Sequence, residues 1–352
     1  MGYGTKEKMN AELFNALDLL GAESGIDKEY MLGKIEEALA NACRKEVGAT
    51  ALIRVHLDPV KGDMKVFQQR LVVPDGEVVD PKCEISLSDA KAISRRNKLG
   101  GFVETELKPK TFRRMSAQTG KQMIIQAIRT AEREKQTRAY EEKREEIITA
   151  LVDKVDTTTG NLIVDTGTGY ATILKAEQIP GEVHDVGDRI KVFISEVNSG
   201  ETRGPIVTLS RVHPHFVKRL FELEIPEIQD GTILIKGVSR EAGSRTKIAV
   251  QSRDENVDAV GSCIGKNGMR IGAILAELGG EKIDIIKYSE NIEEYIAEAL
   301  SPAKVISVVM EDERSAKVTV SPDQLSLAIG REGQNAKLVA RLTGCKIDIK
   351  AD

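Results

Sequence analysis

The chain has 352 residues, which is enough for two to four domains that each bury a hydrophobic core. Hydrophobic residues make up 41% of the sequence, charged residues 30% and aromatic residues only 4%, and the formal net charge is -4. The sequence contains no stretch of about 18 apolar residues, so no membrane-spanning helix is predicted. Because proteins that bind nucleic acid mainly through charge are usually basic, any such function here must depend on local basic patches or backbone groups.

The N-terminus and the cysteines are typical of a cytoplasmic protein. The first eight residues contain no apolar segment, so they do not form a secretory signal. None of the four cysteines lies close enough to another for the C-x-x-C spacing of zinc or redox sites. We therefore expect reduced thiols, no metal ion and no other cofactor.

Residues up to about 110 mix helical and strand patterns. Apolar residues at helical spacing predict helices at residues 11–20 and 27–42, and alternating apolar residues predict strands at residues 52–57 and 64–67. This part of the chain is predicted to be an α+β head, and it contains no recognisable catalytic constellation.

A long helix is predicted from Phe112 to about Ile148. Its apolar residues lie in the first half, and its second half is almost wholly charged. One interpretation is a solvated connector helix with ion pairs between successive turns. The other interpretation is a docking surface for a partner protein.

Residues 148–210 have an all-β pattern. Short apolar runs alternate with turns that contain glycine, such as Gly167-Thr168-Gly169. Five short strands in about 60 residues predict a small closed barrel of the OB type. Tyr170 and Phe193 are either base-stacking residues of this barrel or parts of its core.

The rest of the chain contains two copies of one motif about 65 residues apart. A G-x-x-G sequence occurs at residues 265–268 and again at residues 330–333, each time between two apolar helical segments. Each copy ends with the strand sequence Lys-Ile-Asp-Ile, and a predicted pair of strands precedes it, at residues 232–250 and 305–320. Two strands, a helix–loop–helix and a final strand predict tandem KH modules of type II.

A G-x-x-G loop between two helices is suited to binding phosphate groups. Its glycines let a nucleic-acid backbone approach closely, and the free amides of the following helix attract phosphate oxygens. Ile264, Ile271 and Ile329 are candidates for lining apolar grooves that hold the bases. The predicted RNA-binding residues are Gly265, Lys266, Asn267, Gly268 and Arg270 in the first copy, and Gly330, Arg331, Glu332, Gly333, Gln334 and Asn335 in the second.

The charge of this region predicts modest RNA affinity. Residues 231–352 contain about 17 Lys and Arg against about 18 Asp and Glu. A near-neutral region makes few phosphate contacts, so the affinity should depend weakly on salt. Glu332 places a negative charge in the second loop, and we therefore expect the first loop to bind phosphate more strongly.

No catalytic residue is predicted. Residues 261–267 resemble a nucleotide-binding P-loop, but the spacing is one residue short and Asn267 replaces the hydroxyl that binds magnesium. His213-Pro214-His215 precedes a predicted helix and is interpreted as its start. No Ser-His-Asp, Cys-His or paired-carboxylate arrangement stands out.

The order of an α+β head, a long helix, an S1-type OB barrel and two type II KH modules resembles the NusA family of bacterial transcription factors. The segments that carry the resemblance are residues 178–182, 209–228, 239–250 and 325–330. The resemblance implies a non-enzymatic, monomeric elongation factor that binds RNA polymerase and nascent single-stranded RNA. It also implies effects on pausing, intrinsic termination and antitermination, together with other Nus-type elongation factors.

The resemblance divides the chain into four parts. These are a polymerase-binding domain with the connector helix at residues 1–140, an S1-type OB domain at 141–212, a first KH domain at 213–300 and a second at 301–352. It also places the basic residues Lys121, Arg129 and Arg133 of the connector near polymerase or the exiting RNA. Because the sequence ends just after the second KH strand, we do not expect autoinhibition by acidic C-terminal repeats.

Two other classes of protein combine similar modules. Phosphorolytic nucleases carry S1-like and KH modules, but they need large catalytic domains, and the head of roughly 110 residues is too small for one. Some ribosome-associated proteins contain a type II KH module, but without this head and barrel. Co-sedimentation with ribosomes would indicate a ribosome-associated protein, and co-sedimentation with polymerase would indicate a transcription factor.

Overall fold

The computed structural model describes residues 28–58, 63–107, 117–198 and 206–352. The predicted helix at residues 11–20 lies outside these residues. The chain forms two compact units, Met1–Gln136 and Thr137–Asp352.

The first unit is an α+β fold built around a four-stranded sheet. Its central strand pairs antiparallel with the first and fourth strands and parallel with the third. The apolar face of the first helix packs on the first strand, where Met31 and Ile35 lie beside Ile53 and Val55. The elements are α1 (Lys28–Val47), β1 (Leu52–Asp58), β2 (Asp63–Val73), β3 (Glu84–Ser86), α2 (Leu87–Ile93), β4 (Phe102–Glu106) and α3 (Ala117–Glu141).

The long helix α3 is shorter than the sequence predicts and is not wholly solvated. It ends at Glu141, and Ile147 begins the next strand, because the apolar pair at 147–148 fits a strand as well as a helix. Ile128 and Ala131 are buried in the core of the first unit. The solvated-connector interpretation therefore applies only to the other faces of α3.

The second unit begins with a five-stranded barrel, which confirms the predicted S1-like fold. Its sheet order is β7-β6-β5-β8-β9, and β7 and β9 lie close together, so the barrel is nearly closed. Tyr170 is exposed, whereas Phe193 is buried and stacks on His213, with ring centroids 4.9 Å apart. Phe193 is therefore a core residue. The strands are β5 (Ile147–Val155), β6 (Leu162–Asp165), β7 (Tyr170–Ile173), β8 (Arg189–Val197) and β9 (Val207–Ser210).

Two modules of the same topology follow the barrel. In each, the middle strand pairs antiparallel with the strand before it and parallel with the last strand, which is the predicted type II order. The first module consists of α4 (Pro214–Glu224), α5 (Pro226–Gln229), β10 (Ile233–Glu241), β11 (Arg245–Ser252), α6 (Ala259–Ile264), α7 (Met269–Glu277) and β12 (Lys282–Lys287). The second consists of α8 (Ile292–Ala299), β13 (Val305–Asp312), β14 (Ser315–Val320), α9 (Pro322–Ile329), α10 (Gln334–Thr343) and β15 (Lys346–Ala351).

The hydrophobic core of the second module extends into the first, because it includes Ala249 of β11 and Ile286 of β12. Helix α10 of the second module packs against β10 and β11 of the first. The approach is close at Gly237, where a Cβ atom would lie 3.2 Å from Cδ1 of Leu342. Tyr295 and Ile296 of α8 lie in the core of the second module.

A buried cluster of charges also joins the modules. The Asp284 carboxylate accepts hydrogen bonds from Nε of Arg245 at 2.7 Å and from Nζ of Lys247 at 2.9 Å. Lys247 in turn donates to the carbonyl of Ser301, which follows α8. Burial alone would raise the pKa of Asp284, but the hydrogen bonds and positive charges of Arg245 and Lys247 hold this pKa below its ordinary value.

The depressed pKa of Asp284 predicts a pH-dependent contribution to stability. A carboxylate of this kind stabilises the fold above its unfolded pKa of about 3.9, and this contribution is lost as the pH falls through the folded pKa. We expect Asp284→Asn to lower the free energy of unfolding by about 1–3 kcal/mol at pH 7. The deficit should shrink below pH ~4 in urea denaturation followed by circular dichroism. Glu255→Gln, at an exposed carboxylate, is the control, and a deficit that stays constant with pH would contradict the assignment.

Candidate nucleic-acid interface

The first G-x-x-G loop is a sharp turn that depends on left-handed backbone conformations. Gly265 ends α6 with φ 72° and ψ 174°, and its N–H donates to the carbonyl of Gly261. Asn267 has φ 54° and Gly268 has φ 72°, after which α7 begins at Met269. A Cβ atom at position 265 would lie 2.8 Å from Cγ of Arg270. The positive φ of the turn therefore favours glycine at both positions, and the close approach of Arg270 adds a steric reason at position 265.

The second loop has the same backbone conformation. Gly330 has φ 73° and ψ 170°, Glu332 has φ 54° and Gly333 has φ 76°. A Cβ atom at position 330 would lie 2.8 Å from the backbone nitrogen of Asn335, which cannot move aside as a side chain can. The internal repeat in the sequence is thus a repeat of backbone geometry, with a helix starting directly after each loop.

Both loops present their variable side chains to solvent. Lys266 and Asn267 are exposed in the first loop, and Arg331 and Glu332 are exposed in the second. The amides of the first turn of each following helix have no partner within the helix and carry the positive end of its dipole. The first loop therefore has a net positive side-chain charge, whereas Glu332 offsets Arg331 in the second.

Apolar side chains lie beside the loops. Ile264 and Met269 flank the first loop and are partly or largely exposed, and Ile329 precedes the second loop and is also exposed. Ile271 packs partly against the core of the first module. Exposed aliphatic side chains next to a phosphate-binding turn fit the groove in which KH modules hold bases.

Arg270 is held by its own module. One guanidinium nitrogen, Nη1, donates to Oε2 of Glu227 on α5 and to the carbonyl of Ser262, at 2.8 Å and 2.7 Å. Its charge is therefore largely paired within the protein. This pairing could not be predicted from the sequence, since Glu227 lies 43 positions earlier.

Asn335, one of the predicted RNA-binding residues, is buried. The residue is only 3% exposed, and its side-chain Nδ2 donates to the carbonyls of Leu300 and Ala328, both at 3.1 Å. It thus fixes the start of α10 to the elements around it. Gln334 also turns towards the protein, because its Nε2 donates to Oγ of Ser244 in the first module at 2.7 Å.

A buried arginine ties α7, the helix after the first G-x-x-G loop, to the barrel. Arg211 donates from Nε to Oε2 of Glu182 at 3.0 Å and from Nη1 to Oε1 of Glu277 at 2.8 Å. Its Nη2 donates to the carbonyl of Glu277, the last residue of α7. The C-terminal end of α7 is therefore anchored on the barrel, a contact that sequence analysis missed because its three residues are far apart in the chain.

The features considered as catalytic or metal sites have structural roles. Gly261 to Ile264 lie within α6, so this segment is not the strand-to-helix loop of a P-loop. His213 caps α4, since its Nδ1 accepts a hydrogen bond from the N–H of His215. Within the described ranges, no three His, Cys, Asp or Glu residues cluster to hold a metal ion, and no helix is long and apolar enough to cross a membrane. Cys43, Cys83, Cys263 and Cys345 form no disulfide bonds.

Comparison with known proteins gives consistent matches along the chain. Family models for the NusA N-terminal domain, the NusA-like first KH domain and the NusA-like second KH domain match residues 12–134, 211–288 and 292–352. The transcription termination/antitermination protein NusA of Bacillus subtilis (strain 168) is 44% identical over 345 residues, which cover 98% of this chain and 92% of that protein.

Two further proteins are similar to this chain. The protein of the same name from Thermus thermophilus is 38% identical over 350 residues, covering 96% of this chain and 89% of that protein. The solution structure of the N-terminal domain of NusA from B. subtilis is 40% identical and covers 35% of this chain and 98% of its own, with a TM-score of 0.30. The resemblance predicted from the sequence is confirmed by the near full-length identity to the first two proteins. The chain belongs to the NusA family.

Proposed function

We propose that this protein is a non-enzymatic transcription elongation factor of the cytoplasm, which acts on pausing, intrinsic termination and antitermination. Residues 1–140 bind RNA polymerase, and the KH modules, taken as residues 213–300 and 301–352, hold nascent single-stranded RNA. The barrel at residues 141–212 connects these activities. The protein works as a monomer, together with other Nus-type elongation factors.

The observation that carries the RNA-binding role is the identical geometry of the two loops. Each combines left-handed glycines, exposed side chains and the start of a helix, which is the arrangement that binds backbone phosphates. In the first loop the proposed contacts are Gly265, Lys266, Asn267 and Gly268. In the second loop they are Gly330, Arg331, Glu332, Gly333 and the amide of Gln334.

The polymerase-binding role rests on membership of the family, and a truncation tests it. The fragment should begin at Thr137, because Tyr140 is buried in the barrel core and its hydroxyl lies 2.6 Å from Oγ1 of Thr166. We expect the full chain to bind core RNA polymerase in a pull-down or by mass photometry, and the fragment from Thr137 to Asp352 not to bind. Both proteins should bind single-stranded RNA.

The two binding measurements separate the parts of the proposal. If neither protein bound polymerase while both bound RNA, the polymerase role would be wrong and the KH role would stand. If the fragment bound polymerase as tightly as the full chain, docking would have to be reassigned to the second unit. Circular dichroism of the fragment would establish that it is folded.

A further inference from the structure

The first unit carries a basic patch that the family comparison does not assign. We define the basic patch as Lys91, Arg95, Arg96 and Lys98, which lie at the end of α2 and in the loop after it. All four are exposed, and none of them has an ion-pair partner within 4 Å in the described part of the chain. No acidic residue occurs between positions 90 and 103.

The loop that carries the basic patch is held in one conformation by hydrogen bonds. The N–H of Ser94 and Nδ2 of Asn97 both donate to the carbonyl of Ala90, at 3.1 Å and 2.7 Å. The end of the loop pairs with β2, where the N–H of Gly100 donates to Val72 and the N–H of Val72 donates to Gly101. The cations are thus presented from an anchored turn, which reduces the entropy lost when a partner binds.

Apolar side chains are exposed on the same segment. Ile93, Leu99 and Phe102 are each more than half exposed, and Phe102 is 56% exposed. In the described ranges, Phe102 and Tyr170 are the aromatic residues among the large hydrophobic side chains that are exposed. Phe102 follows Arg96 by six residues, and an exposed aromatic ring together with exposed arginines is the combination with which proteins bind single-stranded nucleic acid, through stacking on bases and contacts to phosphates.

The nearest acidic residues of α2 are already occupied. The carboxylate of Asp75 accepts hydrogen bonds from the N–H and Oγ of Ser88, and Asp89 bonds to Ser86 at the start of the helix. The pKa of Asp75 is lowered mainly by its hydrogen bonds to Ser88 and also by the charge of Lys91, whereas Arg95, Arg96 and Lys98 lie in the loop beyond the C-terminal end of α2. The positive potential of the patch is local, although the chain as a whole has a net charge of -4.

We propose that the basic patch and Phe102 form an additional binding surface for single-stranded RNA, separate from the KH modules. The cations contact backbone phosphates, and the ring of Phe102 stacks on a base. This inference rests on the proposed function, in which the protein binds single-stranded RNA. An RNA ligand is favoured over an acidic protein surface because the same short segment, residues 91–102, carries an exposed ring for base stacking as well as the cations.

The test compares two charge-reversal variants of the full chain. Arg95→Glu/Arg96→Glu removes two patch cations, and Lys65→Glu/Lys82→Glu makes the same change of charge at two exposed lysines elsewhere on the first unit. The probe is a single-stranded RNA of about 40 nucleotides, much longer than the roughly eight that two KH modules clamp. Dissociation constants are measured by fluorescence anisotropy between 50 and 300 mM salt, and far-UV circular dichroism checks folding.

We expect the patch variant to weaken RNA binding and to reduce the slope of log K against log salt by about 1.4, or 0.7 for each lost phosphate contact. The control variant should change the slope much less. Phe102→Ala should weaken binding by roughly fivefold or more without changing the slope, because stacking releases no counterions.

Three outcomes would overturn the proposal. Equal changes of slope in the patch and control variants would show a general charge effect. Unchanged RNA binding by the patch variant would show that RNA does not contact the patch, and a loss of polymerase binding in that case would make the patch a protein-binding surface. Failure of the unmodified chain to bind the RNA would overturn the proposed function as well, which distinguishes the two failures.

Discussion

Gly265→Asp/Gly268→Asp is expected to lower the affinity for single-stranded RNA by at least tenfold. The substitution adds two negative charges where phosphates bind and places side chains at positions with φ of 72°. The equivalent Gly330→Asp/Gly333→Asp should have a smaller effect, because the second loop already contains Glu332 and contributes less to phosphate binding. Fluorescence anisotropy with one RNA at one fixed salt concentration measures both.

A matched control separates loss of RNA contacts from backbone strain. Gly279 and Gly280 also have positive φ, of 65° and 97°, in the turn between α7 and β12, and nothing lies within 4 Å of a Cβ atom built there. Gly279→Asp/Gly280→Asp introduces the same charges at two further positions of positive φ, away from the loops, and should leave RNA affinity nearly unchanged. An equal or larger loss from the second-loop pair than from the first would refute the assigned order of the loops.

Arg240→Ala is expected to destabilise the second unit by about 3–5 kcal/mol, because it leaves the Glu281 carboxylate buried without a counter-charge. The side chains of Arg240 and Glu281 are both 0% exposed. Nη2 of Arg240 donates to Oε2 of Glu281 at 2.8 Å, and its Nη1 donates to the carbonyls of Arg211 and His213. Glu281 is also bonded to Thr246. The free energy of unfolding, from urea titration by circular dichroism, measures the effect.

Two further variants test whether the unpaired charge of Glu281 causes the loss of stability. Arg240→Met/Glu281→Met removes both charges and should recover most of the lost stability, because a buried ion pair is often no more stabilising than apolar side chains of similar volume. Lys218→Ala removes a partly exposed lysine 4.0 Å from Glu222 and should change the free energy of unfolding by less than about 1 kcal/mol. If the double variant were as unstable as Arg240→Ala, lost hydrogen bonds to the backbone would be the main cause.

The topology of the second unit could be predicted from local sequence patterns. The barrel strands alternate apolar and polar residues between glycine turns, and the KH modules repeat one motif with the same strand at the end of each copy. In both modules the Lys-Ile-Asp-Ile strand takes the same register, with Lys282 opposite Arg245 and Lys346 opposite Ser315. Local patterns were sufficient here because the spacing of apolar residues over a few positions already predicts whether a segment is a helix or a strand.

Roles that depend on distant partners could not be predicted. Asn335 was predicted as an RNA-binding residue, but the sequence could not show that the carbonyls of Leu300 and Ala328 bind its side chain. It likewise could not show that Arg270 pairs with Glu227 on α5. The basic patch was different, because its cluster of four cations without an acid is visible in the sequence, and only the exposure of Phe102 required the structure.

The contact between α10 and the first module has a consequence for multivalent binding. Since α10 packs on β10 and β11, the relative position of the two loops is set by a hydrophobic core and not by a flexible linker. Once one loop has bound an RNA molecule, the second loop experiences that RNA at an effective concentration fixed by the distance between the loops. This effective concentration is high for one spacing of the contacted phosphates and falls steeply for other spacings. The pair can therefore select RNAs by the length and stiffness of the stretch between two contacts, even though neither loop alone reads more than a few nucleotides.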